Sequence, residues 1–305
     1  IGELFKVVNG GTPKTGVPAY WDGKHQWITP AEMGGLPSPY VSSTRRSLTD
    51  EGLRVGAALI PTDSIILSTR APIGHLVINQ TPMAFNQGCK GLVPSSAIST
   101  KFAYYFLLAN ISLLESLGTG TTFKELSGGK LKEVAFTHPT LPEQRRIVAL
   151  LDAAFAAIAT ARAHTEQNLR NARELFESQL AAVFSQRGAG WETSTLETTC
   201  EMYQPKTIST KEMVEDGAYP VFGANGEIGR YDKFNHETPQ LLVTCRGATC
   251  GAINISKPFS WITGNAMVVR PKTASLSTDF LELALRGGID VATAITGSAQ
   301  PQITR

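Results

Sequence analysis

The stretch from Leu141 to Arg187 limits what this chain can fold into more than any other. After Pro142 it contains neither Gly nor Pro, and Ala, Leu, Glu, Gln and Arg dominate it, all good helix formers. Pro142 suits a first helical turn, with Glu143 and Gln144 behind it, and Gly188 and Gly190 close the segment. The pattern predicts one helix of about 45 residues, on the order of 65 Å long at 1.5 Å per residue. Leu151, Phe155, Ile158, Leu169, Ala172, Phe176 and Val183 recur at spacings of three and four or their multiples, interrupted by Arg162 and Thr165. No globular domain offers a groove that long. The stripe is therefore expected to meet another long helix, in the same or a second molecule; packing against its own domains is the alternative. Leu151, Phe155, Ile158, Leu169, Phe176 and Val183 are the candidate partner-binding residues. Unbroken apolar runs of about 18 residues are absent, so no membrane span is expected. The opening Ile1-Gly2-Glu3-Leu4-Phe5-Lys6 shows no signal-peptide pattern. It also lacks Met, so the natural start is expected upstream.

On either side of this helix the same features recur in order. Ile65-Ile66-Leu67-Ser68-Thr69-Arg70, followed by Gly74 and Leu76-Val77-Ile78, matches Leu241-Leu242-Val243-Thr244-Cys245-Arg246, followed by Gly251 and Ala252-Ile253-Asn254-Ile255. Asn86 then matches Asn265, Ser99-Thr100-Lys101-Phe102 matches Ser277-Thr278-Asp279-Phe280, and Thr119-Gly120 matches Thr296-Gly297. Four matches in register indicate two copies of one domain. Short apolar runs read as buried strands, each leading through an Arg and a Gly turn into a hairpin partner. Phe102 to Leu117 and Phe280 to Leu285 carry helical spacing. The expected fold class is α+β: two repeated α/β domains with bent β-sheets, at 1–140 and 189–305, joined by a helix at 141–188. Superposing the copies should place Arg70 on Arg246 and Asn86 near Asn265.

The order domain, long helix, repeated domain coincides with specific local sequence. Gly10-Gly11-Thr12-Pro13, Trp21 and Trp27-Ile28-Thr29-Pro30-Ala31-Glu32-Met33 resemble the opening of target-recognition domains in type I restriction–modification specificity subunits. Leu141-Pro142-Glu143-Gln144-Arg145-Arg146-Ile147-Val148, with Leu151-Asp152, resembles the start of that family's central helix. Thr119-Gly120-Thr121-Thr122-Phe123 and Thr296-Gly297-Ser298-Ala299-Gln300 are similar to its small polar loop before the last strand. The resemblance covers essentially all 305 residues. The Leu-Pro-x-Gln helix start is its most specific element and the loops its least. The second copy departs from it, with Glu201-Met202-Tyr203-Gln204-Pro205-Lys206 in place of Gly-Gly-Thr-Pro. Family members also carry a second long helix, antiparallel to the first, after the second domain. This sequence stops at Arg305, where the last strand of the second domain is expected to begin, so the distal helix is expected outside it.

The resemblance implies a non-catalytic subunit whose two domains each read half of a bipartite, asymmetric site on double-stranded DNA. Methyltransferase subunits using S-adenosylmethionine and a restriction subunit using ATP and Mg²⁺ would join it. No cofactor is expected on this chain, self-association through the long helix is a further expectation, and a cytoplasmic location follows. Candidate DNA contacts combine that implication with donor chemistry, since Arg pairs with guanine, Asn and Gln pair with adenine, and Lys, Ser and Thr hold phosphates. They are Thr12, Lys14, Lys24, Arg45, Arg46, Arg70, Asn86, Thr119, Thr121, Thr122 and Lys124 in the first domain. In the second they are Lys206, Arg246, Asn265, Ser298, Gln300 and Gln302. Each also has an ordinary reading: a structural hydrogen bond for the turn arginines, a polar turn for the threonine loops, a solvated surface for the rest.

Charge sets a condition on this reading. The chain carries a net +2, with 12 Lys and Arg against 9 Asp and Glu in residues 1–140, and 10 against 12 in residues 189–305. The second domain cannot hold DNA by bulk charge and must concentrate its cations on one face. Catalytic signatures are missing. Gly128-Gly129-Lys130 runs into Leu131, where a phosphate-binding loop needs Ser or Thr. No Gly-x-Ser-x-Gly elbow occurs. His25, His75, His138, His164 and His236 are scattered, and Cys89, Cys200, Cys245 and Cys250 show no zinc spacing, so no metal is expected and the thiols read as reduced. The competing class is a two-lobed DNA-processing enzyme, a nuclease or transferase, with an unrecognised active site. Turnover of DNA by the purified chain with Mg²⁺ or S-adenosylmethionine would separate the two. A coiled-coil adaptor that binds only protein leaves the paired arginine turns without a purpose.

Overall fold

The strand Ile65–Thr69 is buried along its whole length, which is why an unbroken apolar run and not an alternation marks it. The computed structural model describes residues 1–120, 124–186, 188–223, 225–289, 291–296 and 302–303. They form two units, 1–162 and 163–305, whose boundary falls inside the long helix.

In the first unit, Ile65–Thr69 pairs antiparallel with Cys89–Pro94 on one side and Ile73–Asn79 on the other. Phe5–Asn9 and the short Tyr40–Val41 complete a five-stranded sheet. A second, four-stranded sheet runs Arg46–Leu48, Trp21–Ile28, Met83–Phe85, Leu59–Ile60, with a parallel pair at its centre. The chain crosses between the sheets at Asn86–Gly88, so the expected bend is a passage from one sheet to another. Ile65, Leu67, Ile78 and Leu92 form one core with Leu107 and Leu114 of the helices Thr100–Ala109 and Ile111–Ser116. Ile28, Ile66, Val77, Met83 and Phe85 form another.

The second unit repeats the strand order. Cys200–Tyr203, Ala266–Pro271, Leu241–Thr244 and Ile253–Ile255 make one sheet; Gly226–Tyr231, Tyr219–Gly223 and Trp261–Ile262 make the other, again with a parallel pair. Ile65 pairs with Leu92 as Leu241 pairs with Val269, which places Arg70 on Arg246. Gly74 and Gly251 also coincide and share a positive φ, +110° and +90°, a backbone region that favours glycine. One expected match is out of register. Asn86 donates its N–H to Ile28 O, as Thr263 does to Phe222 O, whereas Gly88 O and Asn265 O accept equivalent bonds from Thr69 and Cys245. Asn86 therefore corresponds to Thr263, and Asn265 to Gly88. Identity of residue type suggested the pair, but the ladder displaces it by two positions.

A buried imidazole ties the two sheets of the second unit. Asn235 Oδ1 accepts from Ile262 N–H (2.8 Å) and lies 2.6 Å from His236 Nδ1, so Nδ1 carries the proton and Nε2 accepts from the Tyr203 hydroxyl (2.8 Å). Burial, then the charge of Arg270, pushes the His236 pKa down.

The helix spans Leu141–Ser185. Its anchor in the first unit is Gln144, fully buried, which accepts from Ser99 N–H (2.8 Å) and donates to Ala97 O (3.0 Å) and Pro139 O (2.9 Å). Two turns further on, Asp152 pairs with Lys101 at 2.7 Å and accepts from the Tyr105 hydroxyl, on whose ring Phe155 stacks. In the second unit Leu180 packs on Gly287 and Phe184 on Gly288, Trp191 and Phe280. Phe155 of the stripe, and Leu180 and Phe184 beside it, thus pack on their own units, the alternative to a helical partner. Leu180 and Phe184 were absent from the expected set because they lie beside the main stripe, where the second unit covers them. Phe155, Ile158, Leu169, Phe176 and Val183 remain 49–62% exposed. Phe155, Leu169, Phe176 and Val183 fall on one seven-residue repeat that Arg162 interrupts, the spacing of a coiled-coil seam. By length and mean hydropathy, 1.5 over an 18-residue window, this helix is apolar enough to cross a membrane, which an unbroken-run criterion misses. Its Asp152 and Phe155 are nonetheless held by side chains of a folded domain.

Gln144→Ala should leave a buried N–H and two carbonyls without partners and lower stability by on the order of 1–3 kcal/mol in urea unfolding. For His236 the folded pKa lies below the unfolded one. The neutral ring's contribution is then complete above about 6.5, the ordinary value, and lost as pH falls below it. Melting followed by tryptophan fluorescence should show the second unit weakening over that range, and His236→Gln should flatten the dependence.

Candidate nucleic-acid interface

Each unit ends its central strand in the same small constellation. In the first, Thr69 O accepts from Leu126 N–H (2.9 Å), and Thr119 and Glu125 exchange two backbone bonds of 3.0 and 2.8 Å. In the second, Cys245 O accepts from Ile303 N–H (3.0 Å), and Thr296 and Gln302 exchange two bonds of 2.8 Å. Arg70 bridges Glu125 and Arg246 bridges Gln302. Both arginines are exposed residues directly after fully buried ones, and the Arg70 guanidinium lies 3.9 Å from the Glu125 carboxylate. Lys124 beside them is exposed, while Thr121, Thr122, Ser298 and Gln300 lie outside the described residues.

The loop after the first strand joins this edge. A Cβ on Gly10 would sit 2.0 Å from Asn86 O and one on Gly11 2.1 Å from Gly56 O, so the two glycines are required by close approach. Thr12 Oγ1 accepts from Asn86 Nδ2 (2.9 Å) and also contacts Gln87, and Asn86 Oδ1 accepts from Gly88 N–H (2.9 Å). Gly88 in turn lies against Arg70. Thr12, Asn86, Arg70 and Thr119 therefore share one edge, with Gln87 and Glu125 as additions that sequence reasoning missed. Glu125 is the counterpart of the candidate Gln302, and the register that equates them is not visible in residue type.

The second copy builds the loop differently. Strand register sets Lys206 opposite Gly11 and Thr207 opposite Thr12. Thr207 Oγ1 accepts from Gly264 N–H (3.1 Å), and it is now Gly264 that leaves room, a Cβ there lying 2.8 Å from Pro205 O. Trp27 donates its indole N–H to Gly11 O (2.9 Å); Trp261 donates to Lys206 O (3.2 Å). Trp27 and Trp261 stand on neighbouring strands of the parallel pair, yet both indoles reach the same carbonyl position. Asn265 and Lys206 are exposed.

The remaining candidates of the first unit are engaged elsewhere. Lys24 pairs with Asp50 at 3.0 Å, and His25 contacts the other oxygen at 2.8 Å; the hydrogen bonds of His25, then Lys24, hold the Asp50 carboxyl below its usual range. Arg46 stacks its guanidinium 3.5 Å from the Trp21 ring, where the π-face already uses its charge. Arg45 is held at its backbone by Glu32 (2.8 Å), and Lys14 O accepts from Trp21 Nε1 (3.3 Å), leaving both side chains exposed.

The sequence profile described as the type I restriction modification DNA specificity domain matches residues 1–170 and again 189–305. This chain belongs to that family. The Methanocaldococcus jannaschii type I restriction enzyme MjaIX specificity subunit is 32% identical over 154 residues, half of this chain and 36% of that protein. The Escherichia coli EcoR124I/EcoR124II specificity subunit is 31% identical over 160 residues, half of this chain and 39% of that one. The E. coli EcoprrI specificity subunit aligns over 292 residues at 25% identity, covering 88% of this chain and 71% of that protein. The chain thus spans well under half the length of the first two relatives in their alignments. Among solved structures, one from work on complex assembly and conformational transition of the type I system covers 99% of this chain and 81% of its own at a TM-score of 0.70 and 16% identity. The HsdS subunit from Thermoanaerobacter tengcongensis covers 93% and 77% at 0.57, also at 16% identity. These two share the fold.

Proposed function

We propose that this chain is a sequence-reading subunit of a type I restriction–modification enzyme. Residues 1–140 and 189–305 each read one half of a bipartite, asymmetric site on double-stranded DNA, and residues 141–188 join the readers. The observation that carries this is the duplicated edge, an exposed arginine on a rigid strand end beside a threonine loop, at one ladder position in both domains. Arg70 and Arg246 lead the contacts, with Thr12, Thr119, Lys124 and Gln87 near the first and Lys206, Asn265, Thr296 and Gln302 on the second. Thr121, Thr122, Ser298 and Gln300 complete the threonine loops. Lys14 and Arg45 are accessory phosphate contacts, whereas Lys24 and Arg46 serve the fold and Asn86 orders the loop. The chain makes or breaks no covalent bond itself. Methyltransferase subunits with S-adenosylmethionine and a restriction subunit with ATP and Mg²⁺ supply the chemistry, in the cytoplasm. The exposed seam of Phe155, Ile158, Leu169, Phe176 and Val183 is covered by a second long helix, and where that is lacking by a second copy of the chain.

Arg70→Ala and Arg246→Ala should each weaken binding by about 1–3 kcal/mol and relax one half-site only, as read by methylome sequencing or selection from random duplexes. Unchanged affinity and specificity in both variants would make these arginines structural. Inserting one heptad into the helix lengthens it by roughly 10 Å, about three base pairs at 3.4 Å each. The recognised spacer should grow, or binding fail, with the half-site sequences kept. A change in half-site bases would rule out the helix as the element that sets their spacing.

A further inference from the structure

We propose that Glu125 is a specificity-determining residue of the first domain: its carboxylate holds Arg70 neutralised, so that this arginine contributes little to sequence-independent binding. The proposal rests on the reading of both domains as DNA readers. Arg70 and Arg246 occupy the same backbone place, each bridged to the residue that also pairs with the threonine of the loop. What differs is the side chain opposite. In the first domain it is the carboxylate of Glu125, 3.9 Å from the Arg70 guanidinium with both groups about half exposed; in the second the bridged residue is Gln302, whose side chain carries no charge. An ion pair that open adds little to the fold in water. Its effect falls on a polyanion. An arginine neutralising a phosphate releases counterions and adds about 0.9 to the slope of affinity against salt. An arginine that already faces its own carboxylate neutralises none until that group is displaced, and the freed carboxylate repels the duplex. A guanine edge offers a fixed pair of acceptors that can take the place of Glu125; a wrong sequence leaves the carboxylate where it is.

The charge balance of the two domains fits this asymmetry. The first, with 12 cations against 9 anions, attracts DNA of any sequence and gains discrimination by silencing one arginine at the reading edge. The second, with 10 against 12, has no bulk attraction to restrain, and its turn arginine stands opposite a neutral partner.

The test measures binding of the full chain, across a range of salt, to a duplex carrying the recognised site and to one of random sequence. Glu125→Gln keeps the side-chain shape and the backbone bridge. It should bind the random duplex several-fold more tightly, with a slope steeper by about 0.9, and lose discrimination between the duplexes. Gln302→Glu should do the reverse in the second domain. In an Arg70→Ala background the change of about 0.9 in slope on Glu125→Gln should vanish, leaving only the smaller gain from removing a carboxylate that repels the duplex. Unchanged random-duplex affinity in Glu125→Gln overturns the proposal, and so does a slope change that survives Arg70→Ala in full, since Glu125 would then act on bulk charge. A parent chain without salt-dependent binding to either duplex sinks the underlying DNA-reading assignment, which is a different result from a parent that binds and a variant that matches it.

Discussion

One backbone hydrogen bond per domain supports the edge that carries Arg70 or Arg246. Leu126 N–H to Thr69 O, and Ile303 N–H to Cys245 O, each pin a returning segment to the end of the central buried strand, at its last residue in the first domain and one residue beyond it in the second. The strand has strand partners on both sides, so its end has almost no freedom, and the arginine that follows starts from a fixed point. The loop's own pairing, Thr119 with Glu125 or Thr296 with Gln302, continues the same short ladder. The rest of each domain positions this junction. Two sheets sharing a strand passage bring the loop at Thr12 to it in the first domain and the loop at Thr207 to the matching place in the second.

Much of this was legible in the sequence. Periodicity and the lack of Gly and Pro revealed the long helix to within two residues of its end, Ser185 against Arg187. Repetition of Ile-Ile-Leu-Ser-Thr-Arg as Leu-Leu-Val-Thr-Cys-Arg revealed the doubled domain, because a strand buried on both faces must stay apolar whatever else changes. Register was not legible. Asn86 and Asn265 looked equivalent by type, and only the hydrogen bonds of Ile28, Phe222, Thr69 and Cys245 show the shift of two. Pairing state was hidden too. Lys24 and Arg46 read as free cations, yet Asp50 and the Trp21 ring engage them, and neither partner lies close enough in sequence to suggest it. Glu125 was missed for a related reason, since its meaning comes from facing Arg70 across a bridge 55 positions away.

The long helix shows how one element serves two kinds of contact. Buried polar satisfaction at Gln144 locks its start to the first domain with directional bonds, so angle as well as position is defined there. Leu180 and Phe184 attach its far end by shape alone, against two adjacent glycines that admit their side chains. Between those anchors Leu169, Phe176 and Val183 keep a seven-residue spacing and stay about half exposed.

The two tryptophans carry a consequence for how such domains diverge. Because Trp27 and Trp261 reach the same carbonyl position from adjacent strands, the loop anchor can stand on either member of the parallel pair. Trp27 pairs with Ala84 where Val221 pairs with Trp261, so the large side chain and the small one change places across the pair. The indole moves to the neighbouring strand, and its hydrogen bond stays in place. An edge whose support can change strands in this way can vary its exposed residues while the scaffold beneath it remains one fold.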